Sequence, residues 1–473
     1  MENPLIELPF EVTEIQEENE DLTKCSVFRM LPKDAKAHVE KQLHVLQYIH
    51  MLPLDKIGIP KYYAKLSKEL NKLKDVNLIY PVSDHVTVHI YPDERDIRNY
   101  YIPIEPSVFR DMDALLLEVD TRLADLVSEG DGQDIKTLLE TGIAKICLIK
   151  EDAGVKRFFN FFKKDKRLVV TRAEFNALKY LVVRDKVGMG VLEPFLKDPY
   201  IEDITCDGVG HIFIEHKIFE SLKSPVGFRD CEALDRFVLR LSEKIGKPVS
   251  YSAPIVDATL LDGSRVNVVF GKDISKKGSN FTIRKFIEPP LSVLNLIEFG
   301  TLDYRMAAYL WIMLNEGMNL FICGETASGK TTTMNALTAF IPPNSKIVSI
   351  EDTAELQVPH KNWTREVTRG RGKGGSSDVG MFDLLRAALR QRPNEIIIGE
   401  IRGEEGNIAF QAMQTGHSVI STFHAASVEK LIQRISSPPI SVPRAYIDNL
   451  NLVVIQNAVR DREGKLKRRI TNI

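Results

Sequence analysis

The sequence predicts an α/β protein whose C-terminal part is a parallel sheet covered by helices. Three observations carry this reading. From about Phe299 onward, apolar runs of strand length alternate with helical stretches, the pattern of strands joined by crossover helices. The runs Asn319–Cys323, Lys346–Ile350, Ile396–Gly399 and Val419–Phe423 are nearly continuous in apolar residues, as strands buried on both faces require. A glycine-rich turn then joins the first of these runs to a helix expected from Thr331 to about Phe340.

Earlier parts of the chain read differently. Residues 1–23 hold eight acids (Glu2, Glu7, Glu11, Glu14, Glu17, Glu18, Glu20, Asp21) and no base, the composition of a solvated arm. Between Asn77 and Pro103 the pattern is strand-like, with alternation in Val86–Tyr91, so residues 1–106 are expected to be an acidic arm and a small strand-containing region. Residues 107–186 read as a helical bundle: Leu116, Val119, Leu123 and Leu126 recur at helix spacing, and Arg172–Val183 is a second amphipathic stretch. Residues 187–290 mix short strands (Ile204–Cys206, His211–Glu215, Val266–Phe270, Phe281–Ile283) with a helix from about Glu232 to Ile245, an α+β domain. Pro289-Pro290 closes it, 291–298 is a linker, and 299–473 is the α/β domain.

Composition sets the outer limits. A chain of 473 residues, 44% hydrophobic and 27% charged, has the make-up of packed globular domains rather than of a fibrous or disordered protein. Its 63 basic and 65 acidic residues give a formal net charge of −2, without the basic excess of a dedicated nucleic-acid binder. The five cysteines (Cys25, Cys147, Cys206, Cys231, Cys323) are odd in number and scattered, which argues against a disulfide framework or zinc ribbon. No apolar run approaches the ~20 residues of a membrane span, and the acidic N-terminus is unlike a signal peptide, so a cytoplasmic location is expected.

The chemistry gathers around Gly324-Glu325-Thr326-Ala327-Ser328-Gly329-Lys330-Thr331, which fits G-x-x-x-x-G-K-[ST] between a strand and a helix. In such a loop the glycines let backbone N–H groups face phosphate oxygens, and the helix N-terminus adds positive potential. Lys330 would neutralise the β- and γ-phosphates of ATP, and the Thr331 hydroxyl would meet Mg²⁺. Three further strand ends carry polar groups: Glu351-Asp352 after Ile350, Glu400 with Arg402 after Gly399, and His424 after Phe423, with His417 just before that last strand. Ligands of open α/β sheets sit at the carboxyl ends of the strands, so these groups can converge on the phosphate loop.

On these residues the part of the chain from about Val187 onward resembles the ATPases of type II and type IV secretion systems, which drive pili and related filaments. Ile350–Leu356 looks like the family's acidic box, Ile396–Arg402 like its Walker B ending in glutamate, and Thr415–Ala425 like its histidine box. Leu261–Arg265 and Thr282–Phe286 resemble its two arginine motifs. Within the family, Phe382–Pro393, Ser421–Ala425 and Tyr446–Asn451 are most similar to the archaeal branch, the archaellum motor ATPase in particular. One position departs from the pattern: where an acid usually precedes the Walker B glutamate by six residues, Asn394 stands, followed by Glu395.

The resemblance implies a RecA-like C-terminal domain, a PAS-like α+β domain before it, and a homohexameric ring. It implies ATP and Mg²⁺ as cofactors, and a nucleotide site made by Gly324–Thr331 with Thr332, Arg265, Arg284 and His417. Glu351 would polarise water and Glu400 hold magnesium through water, roles that the sequence leaves exchangeable; Lys330, Arg265, Arg284 and His424 complete the catalytic set. A polytopic membrane platform protein and accessory cytoplasmic motor proteins are the implied partners, with peripheral association at the inner face of the membrane and no nucleic acid. The alternatives are a type IV pilus or type II secretion motor, a nucleotide-binding scaffold without turnover, and a nucleic-acid translocase. The last is favoured only by the basic stretch 365–375, read as a flexible loop, which lacks interleaved aromatic residues for base stacking.

Overall fold

A computed structural model of the chain describes residues 5–11, 26–73, 76–93, 95–106, 112–127, 134–150, 167–286, 290–369, 379–461, 464 and 466–473. It divides into two compact units, Met1–Phe286 and Ile287–Ile473. Cys25, most of the acidic arm, Pro289 and residues 370–378 lie outside the described residues.

In the first unit, short helices between Ser26 and Ile57 precede strands β1 (Leu78–Pro81), β2 (Thr87–Tyr91) and β3 (Tyr100–Ile104). Helices α1 (Asp113–Val127), α2 (Ile135–Ile146) and α3 (Arg172–Lys186) follow, with a short parallel strand pair, Cys147–Ile149 and Leu168–Val170, inserted between the last two. Then come β4 (Ile201–Cys206), β5 (Gly210–His216), β6 (Glu220–Phe228), α4 (Cys231–Lys244), β7 (Ile255–Thr259), β8 (Arg265–Val269) and β9 (Asn280–Arg284). Among the described residues these strands form one mixed sheet in the order β7-β8-β9-β4-β5-β6-β3-β2-β1. The sheet crosses the boundary expected at residues 186 and 187: β3 runs parallel to β6, with Tyr100 opposite Lys223. The reason is burial. Strand β2 is buried along its whole length, so it needs a neighbour on each side and cover on each face.

Two polar clusters tie this unit together. Asp198, fully buried, accepts hydrogen bonds from the hydroxyls of Tyr80 (2.6 Å) and Tyr101 (2.8 Å) and from the Tyr200 N–H (2.8 Å). Glu105, at the end of β3, accepts from Arg184 of α3 at 3.0 Å and from the Tyr180 hydroxyl. The Thr171 hydroxyl and Glu174 form a reciprocal capping box that starts α3.

The second unit holds α5 (Val293–Glu298), α6 (Tyr304–Asn315), β10 (Leu320–Cys323), α7 (Lys330–Leu337), β11 (Ile347–Glu351), β12 (Trp363–Val367), α8 (Met381–Arg390), β13 (Glu395–Ile401), α9 (Glu405–Gln414), β14 (Ser418–Phe423), α10 (Val428–Ser436), β15 (Leu452–Arg460) and β16 (Leu466–Asn472). Its sheet order is β12-β11-β13-β14-β10-β15-β16, parallel except for the antiparallel pair β15–β16. The apolar runs expected as strands are strands, buried throughout in β10, β11 and β14. Both faces are covered. Phe321, Ile350, Ile398 and Phe423 pack against residues of α8, α9 and α10, while Leu320, Ile347, Ile397 and Ile420 pack against residues of α5, α6 and α7.

The described part of the stretch 365–375, up to Arg369, departs from its reading as a loop. Arg365–Val367 belong to β12, which pairs in parallel with β11, and Arg369 bridges to Val379. An edge strand tolerates charged residues because one side faces water, so its sequence lacks the apolar run that marks its neighbours.

Candidate nucleotide site

The loop between β10 and α7 curls through two left-handed residues. Gly329 caps α7 with φ +93°, and Ala327 has φ +61°, a conformation that a residue with a Cβ adopts only under constraint. At Gly324 an added Cβ would stand 2.2 Å from the Gln456 carbonyl oxygen, so no larger residue fits there. The Lys330 ammonium donates to the carbonyls of Gly324 (3.0 Å) and Glu325 (2.9 Å) of its own loop. Burial lowers its pKa, opposed by the nearby carboxylate of Glu400. Thr331 and Thr332 lie in the first turn of α7, where backbone N–H groups have no partner within the helix.

Neighbouring strands deliver the other groups. Glu400 sits where β13 leaves its register with β14, between the pairs Ile398–Ser421 and Ile401–Phe423. Such an irregularity turns a side chain out of its strand's alternation. The Thr422 hydroxyl donates to the Gly399 carbonyl at 2.6 Å, and Arg402 Nε donates to Glu400 Oε2 at 2.9 Å. Next to Glu400, a cavity of about 400 Å³ is lined by Asp352, Thr368, Arg369 and Arg402.

Glu351 ends β11 and is 2% exposed. Its Oε2 accepts from the N–H groups of Glu355 (2.6 Å) and Leu356 (2.8 Å). Its Oε1 is buried without a hydrogen bond and lies 3.5 Å from Arg365 Nε. Burial raises the pKa of Glu351; the two N–H groups and Arg365 oppose the rise. Arg365 is itself held over the Trp363 ring, 4.7 Å from its centre.

His424 lies immediately past β14, with Nε2 2.7 Å from the Thr326 hydroxyl. Arg434 donates to the His424 carbonyl and stacks on Phe423 at 5.2 Å. The structure thus brings His424, Lys330 and Glu400 to the loop and sets Glu351 on the adjacent strand end. It does not bring His417 there. That residue precedes β14 at the amino end, roughly 20 Å away at ~3.3 Å per residue, with Nδ1 3.2 Å from the Thr415 hydroxyl. Arg265 and Arg284 belong to the first unit, directly opposite each other on β8 and β9. Arg284 is also opposite Asp203 of β4, whose pKa burial raises and Arg284 restrains.

Three contributors escaped the sequence reading: Arg365, Gln456 and Arg468. Gln456 Nε2 donates to the Ser328 carbonyl at 2.9 Å, and Arg468 Nε to the Ala327 carbonyl at 3.1 Å. Arg365 stands two residues after Trp363, a spacing that every strand offers and that singles out neither residue. For the other two the only hint is even spacing along a terminal hairpin.

The site fits a nucleotide with magnesium. The Ser328 hydroxyl is buried inside the loop without a hydrogen bond, a polar group suited to an incoming acceptor. Among the described residues no cluster of three carboxylate, histidine or cysteine side chains stands ready for a metal. Mg²⁺ is commonly held by few protein groups together with phosphate oxygens, and Thr331 and Glu400 would be such a partial set.

Comparison with known proteins agrees with this geometry. Residues 185–471 match the family model "Type II/IV secretion system protein". An uncharacterized protein of Methanocaldococcus jannaschii is 44% identical over 94% of this chain and 82% of its own length. The type IV secretion system protein PtlH of Bordetella pertussis is 29% identical over 60% of this chain and 92% of its own length. Among solved structures, the Legionella pneumophila ATPase DotB is 18% identical, with 58% of this chain and 76% of that one covered at a TM-score of 0.45. A family model that spans more than half the chain, over a phosphate loop with acids and a histidine at neighbouring strand ends, settles the assignment: the chain belongs to the type II/IV secretion system protein family and is an ATPase of it.

Proposed function

We propose that this chain is a motor ATPase that powers an archaeal surface filament, the archaellum, acting as a ring of six copies on a polytopic membrane platform protein with accessory cytoplasmic motor proteins. The observation that carries the ATPase core of this reading is the convergence of Glu400 and His424 on the loop Gly324–Thr331, with Glu351 on the next strand end. Similarity to an archaeal protein across nearly the whole chain supports the archaeal setting. The pilus and secretion readings differ only in the platform partner. Recovery of an archaellum platform protein with the tagged chain supports the proposal; recovery of a pilus or secretion platform instead overturns it.

In the proposed reaction the loop and Lys330 hold the phosphates of ATP, with Thr332 beside them. Thr331 and, through water, Glu400 would hold magnesium, which when bound would neutralise charge on the β- and γ-phosphates. Glu351 polarises the attacking water. Its Oε2 is fixed by two N–H groups, and its buried Oε1 is left to accept a proton with a basicity raised by burial. His424, tied to Thr326, follows the state of the loop. Arg265 and Arg284 contribute positive charge to the phosphates, as finger arginines do.

The decisive test is Lys330→Ala. Removal of the only loop cation that reaches the phosphates should lower the phosphate-release rate by about a hundredfold or more, since electrostatic groups at a transferring phosphoryl contribute on that scale. The melting temperature should stay within about 3 °C, because Lys330 makes only carbonyl contacts at a half-buried loop. Normal turnover by this variant would sink the assignment of the loop.

A further inference from the structure

We propose that Gln456 and Arg468, on the hairpin β15–β16, are positioning residues of the nucleotide site that set the phosphate loop in its anion-binding shape. This rests on the reading of Gly324–Thr331 as the loop that holds the nucleotide.

The two side chains share one face of the hairpin. Arg468 pairs with Ala458 and Ile470 with Gln456, so positions 456, 458, 468 and 470 point the same way by the two-residue period of strands. From that face they take hold of two successive loop carbonyls: Arg468 that of Ala327 at 3.1 Å, Gln456 that of Ser328 at 2.9 Å. A trans peptide directs its N–H opposite to its carbonyl. Drawing both carbonyls toward the hairpin therefore turns the N–H groups of Ser328 and Gly329 away from it, toward the inside of the loop. In this structure the Ser328 N–H closes a turn on the Glu325 carbonyl at 3.3 Å, a long bond that a phosphate oxygen can replace.

The same contacts account for the loop's unusual backbone. Ala327 has φ +61°, a conformation uncommon for a residue with a Cβ, which persists only where neighbours impose it. The Arg468 guanidinium on its carbonyl is such a restraint. Both loop glycines are fitted to the hairpin as well. A Cβ at Gly329 would stand 3.0 Å from Gln456 Nε2 and 3.1 Å from Arg468 Cδ, and one at Gly324 would strike the Gln456 carbonyl. Loop and hairpin are thus complementary surfaces. Neither residue contacts the phosphates by this account; each acts through a loop peptide.

Full-length protein is tested with MgADP as the probe, by titration calorimetry, and with ATP in steady-state kinetics. The variants are Arg468→Met, which keeps the aliphatic stem, Gln456→Glu, which keeps the shape and loses the donor, and Arg468→Lys, which keeps a charge. Expected for the first two is a rise of about tenfold in the Kd of MgADP and in KM for ATP, the scale of one lost hydrogen bond to a constrained group. The kcat should change by less than about threefold, and Arg468→Lys should recover part of the affinity. Unchanged Kd and KM in both variants would overturn the proposal, as would a lowered melting temperature with unaltered affinity, which marks a purely structural contact. Should Arg468→Met fail to fold, Gln456→Glu carries the same comparison. If the wild-type protein itself does not bind MgADP, the reading of the loop fails; if it binds and the variants bind equally, only the role of the hairpin fails.

Discussion

One oxygen of Glu351 is held by two backbone N–H groups while the other is buried without a hydrogen bond, and that asymmetry makes its protonation measurable. Burial raises its pKa; Arg365, 3.5 Å away, pulls it down, and Glu355 pushes it up. If the ionised carboxylate polarises water, activity falls on the acid side as it protonates. Arg365→Met removes the restraining cation, so the acid limb of the kcat profile should move to higher pH. A limb that stays in place, with Glu351→Gln still active, would transfer the role to another group. Lys330 was legible in the sequence from the spacing of the glycines and threonine around it, and the positions of Glu351, Glu400 and His424 because each follows an apolar run, and a run that ends in a polar residue marks a strand end. His417 flanks the same strand as His424, but at its other end; adjacency to a strand does not say which end faces the ligand. Arg365, Gln456 and Arg468 act from an edge strand and a hairpin, where polar residues are ordinary and nothing local sets them apart.

Among the elements, β13 carries an acid at each end. Glu400 lies beside the phosphate loop, whereas Glu395 is buried at the amino end, with Ser418 donating to it at 2.8 Å, and burial pushes its pKa up to about 8. Its folded pKa lies above the ordinary 4.5, so between these values the native state keeps a proton that the unfolded chain releases. Stability contributed by the neutral acid is complete below pH 4.5 and is lost as pH rises toward 8. Glu395→Gln, neutral at every pH, should gain stability over wild type by roughly 3–5 kcal/mol across that window and no further above it. Denaturant melts from pH 4.5 to 9 give the answer; a constant difference would mean that Glu395 is ionised in the fold. The parallel strands of this sheet were readable from their composition, since strands buried on both faces have little room for polar residues. Strand β12 was not, and neither was the pairing of β3 with β6, because a partner more than a hundred residues away leaves no trace in local periodicity.

Taken whole, the molecule is two compact units, each with its own sheet and core. Calorimetry should resolve two transitions, and MgADP at a hundred times its Kd should stabilise the Ile287–Ile473 unit by about 2.7 kcal/mol. A single transition that ignores the nucleotide would contradict both the division and the site. No helix among the described residues is long and apolar enough to cross a membrane. The near-neutral total of 63 basic and 65 acidic residues says little about local charge, as the direct opposition of Arg265 and Arg284 shows. Like charges facing each other across two strands repel, and mobile anions in the solvent lessen the repulsion. Asp203, opposite Arg284 on β4, offsets part of this repulsion, and the remainder makes the β8–β9 pair sensitive to ionic strength. The melting temperature of the first unit should climb with added salt, more steeply for sulfate than for chloride at equal ionic strength, and Arg284→Gln should flatten that climb. A ligand bringing several negative charges to these arginines would gain affinity from the relief of a repulsion already built into the strands, and that gain would shrink as salt is added.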